Sequence, residues 1–298
     1  MSAMDSDDDD PKTCYADELV KTFKFYLEKS GEHEAILETM QKVLPDDFER
    51  MVEGKNNLDI LGIGSGGGQV DIQILNLLQE FCPGVSLSSD IVEGSSELVD
   101  DFKELVKNTP SLKDVPFTWH VMHSEGYVKR GRAKAQKDIK KFDFIHMVQM
   151  IYYVKNLDDS LLFYRRALKP NGRIMIIIEA DGGGWDTLWT TFKKELLVGP
   201  NEEYRCSRDI VASLKKHGME FEEHDIPNSF EVTECFDGND STGNCLLNYM
   251  TNRKNFREEF STDVKNAMLD VIRYKCSTEK DGKIFFNSSL KMIVIYAK

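Results

Sequence analysis

The stretch that decides the fold is Leu58-Asp59-Ile60-Leu61-Gly62-Ile63-Gly64-Ser65-Gly66-Gly67-Gly68. Its first six residues predict a buried strand, because four of them are Leu or Ile. An amphipathic helix is predicted just after the glycines, from about Val70 to Phe81. Glycines between a strand and a helix let the chain turn sharply and let a ligand approach the backbone, next to the free N–H groups of the helix. The stretch therefore predicts a ligand-binding loop in an α/β protein.

Strands and helices alternate from this loop through the middle of the chain. Four further strands are predicted at 85–92, 117–121, 142–148 and 173–179. Helices are predicted between them at 96–106, 125–140 and 157–168. Parallel strands need crossover helices, so this order predicts a parallel sheet with helices on its faces.

The alternation becomes looser after Gly182. Helices are predicted there at 185–197, 207–217 and 257–275, and strands at 219–224 and 290–296. The segment 226–256 is expected to be irregular. No internal repeat and no linker rich in Pro or Gly divides the chain, so we expect one domain over 14–298 with insertions in its C-terminal half.

The N-terminal part is acidic and then helical. Residues 1–13 are expected to form a disordered leader, because a run of like charges repels itself and buries no apolar surface. Leu19, Phe23, Tyr26 and Leu27 then recur at helical spacing. A second helix is predicted from Glu34 to Leu44 and expected to end at Pro45, so a helical cap of about 14–56 precedes the first strand.

Charge and composition exclude several classes of protein. The chain has 298 residues, with 38 Lys and Arg against 51 Asp and Glu, and a net charge of −13. The leader carries −4 of this charge and the rest of the chain −9. Such a balance would repel nucleic-acid phosphates and anionic membranes, so neither is expected as a partner. No apolar stretch approaches the roughly 20 residues of a membrane span.

The cysteines and histidines predict a cytoplasmic protein without a metal. The six cysteines are scattered and include no Cys-x-x-Cys, so reduced thiols are expected. The acidic N-terminus resembles neither a secretory signal nor a transit peptide. His120 and His123 form a lone His-x-x-His, whereas a zinc site needs three or four ligands together.

The glycine pattern alone leaves two cofactors open. Gly62-x-Gly64-x-x-Gly67 matches the dinucleotide fingerprint, and Gly64-x-Gly66-x-Gly68 matches the looser pattern of S-adenosylmethionine (SAM) methyltransferases. An acid after the second strand could bind the ribose hydroxyls of either cofactor, and both Asp90 and Glu93 are placed for this. The order of elements favours a methyltransferase, because a helical region precedes the first strand and a strand closes the chain.

Several longer segments are more specific than the glycine loop. They are Ser30-Gly-Glu-His33, Ile60-Leu-Gly-Ile-Gly64, Val70-Asp-Ile-Gln-Ile-Leu75, Phe142-Asp-Phe-Ile-His-Met-Val-Gln-Met-Ile-Tyr-Tyr-Val154, Gly184-Trp-Asp-Thr-Leu-Trp189 and Phe286-Asn287. With them the chain resembles the vertebrate histamine N-methyltransferase family over nearly all of its length after the leader. The resemblance implies a Rossmann-like, seven-stranded class I SAM-dependent methyltransferase fold, a monomer, and methyl transfer to a nitrogen of a small amine, histamine or a related imidazole or biogenic amine.

The resemblance also implies a set of site residues. For the cofactor SAM these are Gly64, Ser65, Gly66, Glu93, Ser124 and Val148. For the amine they are Phe23, Glu32, Gln149, Tyr152, Tyr153, Trp185, Trp189, Tyr249, Asn287 and Ser288, with Gln149 and Glu32 as the catalytic pair. A cationic amine suits a carboxylate and aromatic faces, and Glu32 is expected in a loop between two cap helices. Trp185 and Trp189 are four residues apart and could equally pack as core on one helix face.

The chain departs from the family at a few of these positions. Ser288 stands where the histamine enzymes have a substrate-binding asparagine, unless the register slips and Asn287 takes that place. Leu98 replaces a glutamine near Glu93, and Leu19 and Leu196 replace aromatic residues. These departures indicate a possible change of acceptor, such as weaker histamine binding or another imidazole or biogenic amine.

The implied mechanism is in-line displacement by a neutral nitrogen. An imidazole nitrogen is largely neutral at pH 7, so no strong base is needed, and the protein aligns the reacting atoms. Gln149 would orient the ring and Glu32 would anchor the ammonium group. The alternatives are a nicotinamide-dependent oxidoreductase, a non-catalytic amine-binding relative, and a methyltransferase with another acceptor; an O-methyltransferase would need a base or metal cluster that the sequence lacks.

Overall fold

A computed structural model describes residues 17–133, 139–197 and 203–297, with side chains from residue 21 onward. The predicted leader, 1–13, lies outside the described residues. Within them, no helix combines the length and the apolar character needed to cross a membrane.

A seven-stranded sheet forms the centre of the protein. Its strands are β1 (Asn57–Ile63), β2 (Ser86–Glu93), β3 (Phe117–Val121), β4 (Phe142–Val148), β5 (Leu168–Glu179), β6 (Phe221–Ile226) and β10 (Leu290–Tyr296). They lie in the order β3-β2-β1-β4-β5-β10-β6. Strands β1 to β5 pair in parallel, whereas β10 is antiparallel to both β5 and β6. The predicted seven-stranded α/β fold, with a strand that closes the chain, is confirmed.

Helices cover both faces of this sheet. They are α1 (Asp17–Ser30), α2 (Glu32–Val43), α3 (Pro45–Val52), α4 (Gln69–Phe81), α5 (Ser96–Lys107), α6 (Ser124–Arg132), α7 (Leu157–Arg166), α8 (Gly184–Thr191), α9 (Lys193–Leu196), α10 (Ser207–Lys216), α11 (Ser241–Thr251), α12 (Phe256–Glu259) and α13 (Thr262–Tyr274). Helices α2 to α5 pack on one face, and α6, α7 and α10 pack on the other. The apolar side chains of the strands are therefore buried on both sides, as expected of a parallel sheet.

The structure refines several predictions of elements. The second cap helix, α2, ends just before Pro45 as predicted, but Pro45 also begins a third helix, α3, because proline lacks only a hydrogen bond that the first helical residue would not make. The segment 226–256 is not wholly irregular, since Asp240 caps α11 by accepting a hydrogen bond from the Gly243 N–H. The predicted helices 257–275 and 185–197 are each divided in two: Ser261 caps α13, and Phe192 separates α8 from α9.

A second, smaller sheet stands beside the first and was not predicted. Its strands are β7 (Ser229–Glu231), β8 (Ser277–Lys280) and β9 (Lys283–Asn287), in the antiparallel order β7-β9-β8. With α1, α8, α11 and α13 it encloses a third apolar core, which contains Tyr26, Trp185, Phe230 and Phe286. This aromatic core lies next to the carboxyl ends of β4 and β5, where ligands bind in open α/β sheets.

Candidate active site

The glycine loop joins β1 to α4 in the predicted way. Gly64 has φ +64°, and a Cβ placed on it would lie 2.7 Å from the Cβ of Met150. Only glycine fits this position, because both the backbone conformation and the close neighbour exclude a side chain. The Gly64 N–H donates to the carbonyl of Val92, which joins the loop to the end of β2.

The carboxylate at the end of β2 that reaches the loop belongs to Glu93. Its Oε2 accepts the Gly66 N–H at 2.9 Å, and its Oε1 accepts the Ser95 N–H at 2.9 Å. Asp90 is instead paired with Lys140 at 2.6 Å and with His120 at 3.1 Å. Glu93 is thus the acid beside the glycines, whereas Asp90 is held in ion pairs farther back on the strand.

A buried polar cluster behind the loop was missed in the sequence. The hydroxyl of Ser65 donates to Asp71 Oδ1 at 2.8 Å, and His146 Nε2 lies 3.3 Å from the same oxygen. A Cβ on Gly62 would lie 2.4 Å from that oxygen, so the Asp71 carboxyl occupies the space that a side chain at 62 would fill. The only available signal was an acid on the apolar first turn of α4.

Burial sets the protonation of this cluster. It raises the pKa of Asp71 to about 7, against an opposing hydrogen bond from Ser65. Burial also lowers the pKa of His146 to about 3, so its imidazole is neutral at physiological pH. The cluster therefore carries at most about one negative charge behind the loop.

The two remaining predicted cofactor residues stand on neighbouring elements. Val148 is the last residue of β4 and packs partly buried against the core beneath α4. Ser124 begins α6, just after the loop from β3, and is partly exposed. Leu98 lies in the first turn of α5, where its N–H donates to the Ser95 hydroxyl.

Gln149 and Glu32, the predicted catalytic pair, are brought together. Gln149 follows β4 with φ +50°, an unfavourable conformation for a residue with a side chain, and its N–H donates to the carbonyl of Ile177. Its Nε2 donates to Glu32 Oε1 at 3.4 Å. Glu32 is the first residue of α2 rather than a loop residue, because only Gly31, with φ +62°, separates α1 from α2.

Glu32 is a deeply buried acid with neutral partners. Glu32 is only 3% exposed, and its Oε2 accepts a hydrogen bond from the Tyr26 hydroxyl at 2.7 Å. Burial raises its pKa, while the hydrogen bonds from Tyr26 and Gln149 oppose that rise. Among the described residues, Glu32 has the neutral partners Tyr26 and Gln149 and no cation, which leaves that place to a ligand's ammonium group. Tyr26 was predicted only as part of an apolar helix stripe, and its hydroxyl gave no separate signal.

Aromatic rings surround this carboxylate on one side. Tyr26 stacks on Tyr249 at 4.2 Å between centroids, and Trp185 packs edge-on against both rings at 5.8 and 5.9 Å. Phe23 lies 6.0 Å from Tyr249. The predicted substrate residues Phe23, Trp185 and Tyr249 belong to the third core and form the edge of it that faces Glu32. The packing and binding interpretations are therefore compatible.

The other predicted aromatic residues form two separate pairs. Tyr152 and Tyr153 lie in a short 3₁₀ helix directly after Met150, with their rings 4.6 Å apart, and Tyr153 is 39% exposed. Trp189 packs, partly buried, against the same core as Trp185, and its ring stacks on Tyr204 at 6.0 Å. Tyr204 was not predicted, because it precedes α10 in a segment without periodicity.

Ser288 and Asn287 lie in different environments, one buried and the other exposed. Ser288 is fully buried, and its hydroxyl has no hydrogen-bond partner among the described residues. Asn287 is exposed, and its side chain accepts the N–H of Ser289. Leu196 is fully buried in the third core, whereas the side chain of Leu19 lies outside the described part.

The described residues contain no group of three or more His, Cys, Asp or Glu side chains placed to hold a metal ion. His120 pairs with Asp90, and the ring of His123 packs against Gly94, 2.7 Å from where a Cβ on that glycine would lie. The five described cysteines are free thiols, which are Cys82, Cys206, Cys235, Cys245 and Cys276.

Comparison with known folds agrees with this geometry. A family model described as a methyltransferase domain matches residues 36–224. Among solved structures, the YcgJ protein of Bacillus subtilis superposes with a TM-score of 0.52 at 12% identity, covering 85% of this chain and 98% of that one. At this identity the likeness concerns the fold.

Comparison with curated proteins is more specific. The chain is 35% identical to histamine N-methyltransferase B of Xenopus laevis, over 93% of this chain and 94% of that protein. It is 36% identical to the histamine N-methyltransferase of Bos taurus, over 93% and 95%. It is also 34% identical to carnosine N-methyltransferase 2 of Gallus gallus, over 95% and 88%.

Proposed function

The chain belongs to the histamine N-methyltransferase family, and we propose that its acceptor is histamine or a closely related imidazole amine. It is a SAM-dependent N-methyltransferase of small amines. The observation that carries the choice of acceptor is the buried Glu32 carboxylate, whose hydrogen-bond partners among the described residues are the neutral side chains of Tyr26 and Gln149, and which is bordered by aromatic rings.

The glycine loop and its neighbours fit the cofactor. Backbone turns without side chains at Gly64 and Gly66 leave room beside the start of α4, and Glu93 presents a carboxylate there for the ribose hydroxyls. Ser65 belongs to the same loop, and Val148 at the end of β4 and Ser124 at the start of α6 would hold the adenine. Bound SAM supplies a methyl group on a positively charged sulfur.

The protein's own residues position the amine. Glu32 accepts hydrogen bonds from the ammonium group, and Tyr26 keeps its carboxylate in place. Gln149 presents an amide whose Oε1 is buried and has no partner among the described residues, so it is available to an imidazole N–H. Trp185 and Tyr249 give the cation aromatic faces.

The chemistry needs alignment more than proton transfer. An imidazole nitrogen with an unperturbed pKa near 6.5 is largely neutral at pH 7 and has a free lone pair. Holding this nitrogen at about 3–3.5 Å from the methyl carbon, in line with the breaking bond, supplies the rate. The left-handed backbone of Gln149 fixes the side chain between the end of β4 and Glu32, which serves this alignment.

The proposed acceptor pocket is completed by five further residues, which are Phe23, Tyr152, Tyr153, Trp189 and Ser288. There are two candidates for the family's asparagine position. The hydroxyl of Ser288 is buried and has no partner in the described part of the chain, which supports Ser288 over Asn287. A hydroxyl is shorter than an amide, so the far end of the pocket can hold a larger group than histamine. One relative is named a carnosine N-methyltransferase, and carnosine is a dipeptide that contains an imidazole ring. Carnosine is therefore the second candidate acceptor.

A turnover screen with purified protein tests the proposed function. SAM is offered with histamine, carnosine and other biogenic amines, and the site of methylation is assigned by NMR. We expect methylation of an imidazole nitrogen, with S-adenosylhomocysteine formed in equal amount. Methylation of carnosine alone would select the second candidate, and no turnover of any amine would contradict the proposal.

We also propose that residues 14–298 act as one domain, as a monomer in the cytoplasm. The proposed pocket is built within one chain, which supports a monomer, and the five described cysteines are free thiols, four of them buried, which suits a reducing compartment. Light scattering of the active protein at assay concentration tests the oligomeric state, and a mass of twice 34.1 kDa would contradict it.

A further inference from the structure

Glu179 is a carboxylate that the proposed mechanism does not use. It is the last residue of β5 and pairs with Leu290 of β10. Gln149 leaves the neighbouring strand β4 and binds the carbonyl of Ile177, two residues before Glu179. Glu179 therefore stands at the edge of the sheet where the proposed acceptor pocket lies.

The alternation of β5 places the Glu179 side chain towards Glu32. Successive side chains of a strand point to opposite faces, so Glu179 shares a face with Ile177. Ile177 packs in the same apolar core as Ile36 and Met40 of α2, the helix that begins with Glu32. The two carboxylates are close enough for the charge of Glu32 to help raise the pKa of Glu179.

One oxygen of the Glu179 carboxylate lacks a partner in the part of the chain that the structure describes. This oxygen, Oε2, is also out of contact with solvent. Burial raises the pKa of Glu179 to about 8; a hydrogen bond from its own backbone N–H opposes this rise, and the charge of Glu32 adds to it. The hydroxyl of Tyr204 is also buried without a partner, and burial and the charge of Glu179 raise its pKa. Buried polar atoms are normally hydrogen-bonded, so these oxygens indicate groups that a ligand satisfies.

We propose that Glu179 is a second specificity-determining carboxylate of the acceptor pocket and that, with Glu32, it selects small amines carrying two cationic or hydrogen-bond-donating groups and no carboxylate. This inference rests on the proposed function and refines its substrate class, because it favours histamine over the second candidate, carnosine, which carries a carboxylate. One carboxylate is enough for a monoamine, which would leave Glu179 unpaired. An acceptor that carries a carboxylate, such as an amino acid or a dipeptide, would meet two negative groups.

Imidazolylalkylamines and short diamines fit this requirement. Each offers an ammonium group to one carboxylate and a ring N–H or second ammonium group to the other. A cation that enters the site also favours the ionised form of Glu179, so its binding at pH 7 displaces a proton. The other titratable groups near Glu179 are Glu32 from α2 and Tyr204 before α10, and the neighbouring Gln149 is neutral.

Ligand pairs that differ by one group test the proposal. Calorimetry on the protein saturated with S-adenosylhomocysteine compares 1,4-diaminobutane with 1-aminopentane, which have equally many non-hydrogen atoms, and histamine with histidine, which adds a carboxylate. We expect the wild type to prefer the first member of each pair by about tenfold or more, the size of a hydrogen bond to a charged group. The Glu179→Gln variant should reduce both preferences to within about threefold.

The controls separate this proposal from general effects of charge and folding. Glu80→Gln removes the same charge from the exposed far end of α4 and should keep both preferences. If Glu179→Gln is unstable, Glu179→Leu replaces it, since its neighbours include Leu290. If the wild type methylates histamine and a folded Glu179 variant keeps both binding preferences unchanged, this proposal alone is overturned. If the wild type methylates no amine, the proposed function has failed instead.

Discussion

Replacing Glu32 with glutamine should remove the anchor of the substrate's ammonium group. The variant keeps the shape of the side chain and can still accept the Tyr26 hydroxyl, which lies 2.7 Å from Oε2. It loses the negative charge in a residue that is only 3% exposed. A hydrogen bond to a charged group contributes about 1.5–3 kcal/mol, and little solvent is present to screen it. We therefore expect kcat/KM for histamine to fall by about 10- to 150-fold.

The assay includes an acceptor without the ammonium group. Steady-state methylation is measured with histamine and with 4-methylimidazole, for wild type, Glu32→Gln and Glu34→Gln. Glu34 is an exposed acid two residues along the same helix, so its variant controls for bulk charge. The loss should appear with histamine and be absent with 4-methylimidazole. An equal loss with both acceptors, or full activity of Glu32→Gln on histamine, would refute the assigned role.

Three further changes have distinct expected results. Gly64→Ala should weaken SAM binding measured by calorimetry at least tenfold, because of its positive φ and close neighbour, whereas Gly54→Ala, with φ +71° and open space, should cost stability alone; equal SAM affinity in both variants would contradict this. Gln149→Ala should lower kcat/KM for histamine about tenfold with SAM affinity unchanged, and a loss of SAM affinity instead would move Gln149 to the cofactor side. Asp71 has a folded pKa of about 7, above its unfolded value near 4, so its stabilising contribution is complete below pH 4 and lost as the pH rises through 7. Relative to Asp71→Asn, the wild type should lose about 2–3 kcal/mol of unfolding free energy between pH 5 and pH 8 in urea titrations, and parallel pH profiles would contradict this.

The sequence predicts the central sheet well because its signals are local. Each strand of that sheet is a run of apolar residues closed by a turn, and glycines mark the start of α4. The second sheet was missed for the opposite reason. Strand β7 has three residues and β8 is mostly polar, so neither has a clear pattern, and both depend on pairing with β9.

The candidate site divides in the same way. Glu32 and Gln149 could be named from the family resemblance, and Glu93 was one of two acids expected after the second strand. The structure brings the first two together and places Glu93 at the end of β2, in contact with the glycine loop. Tyr26 and Glu179 could not, because a tyrosine in an apolar stripe and an acid at the end of a strand acquire their meaning only from what faces them. Tertiary contacts, rather than spacing in the chain, define these two positions.

Methyl transfer within one catalytic cycle can be followed directly. The protein is loaded with SAM labelled with ¹³C in its methyl group, histamine is added, and the methyl resonance is recorded by NMR. The proposed function predicts that the signal moves from the S-methyl to the N-methyl position of an imidazole nitrogen, at one equivalent per S-adenosylhomocysteine formed. A methyl signal that stays on sulfur, with both ligands shown by calorimetry to be bound, would contradict it.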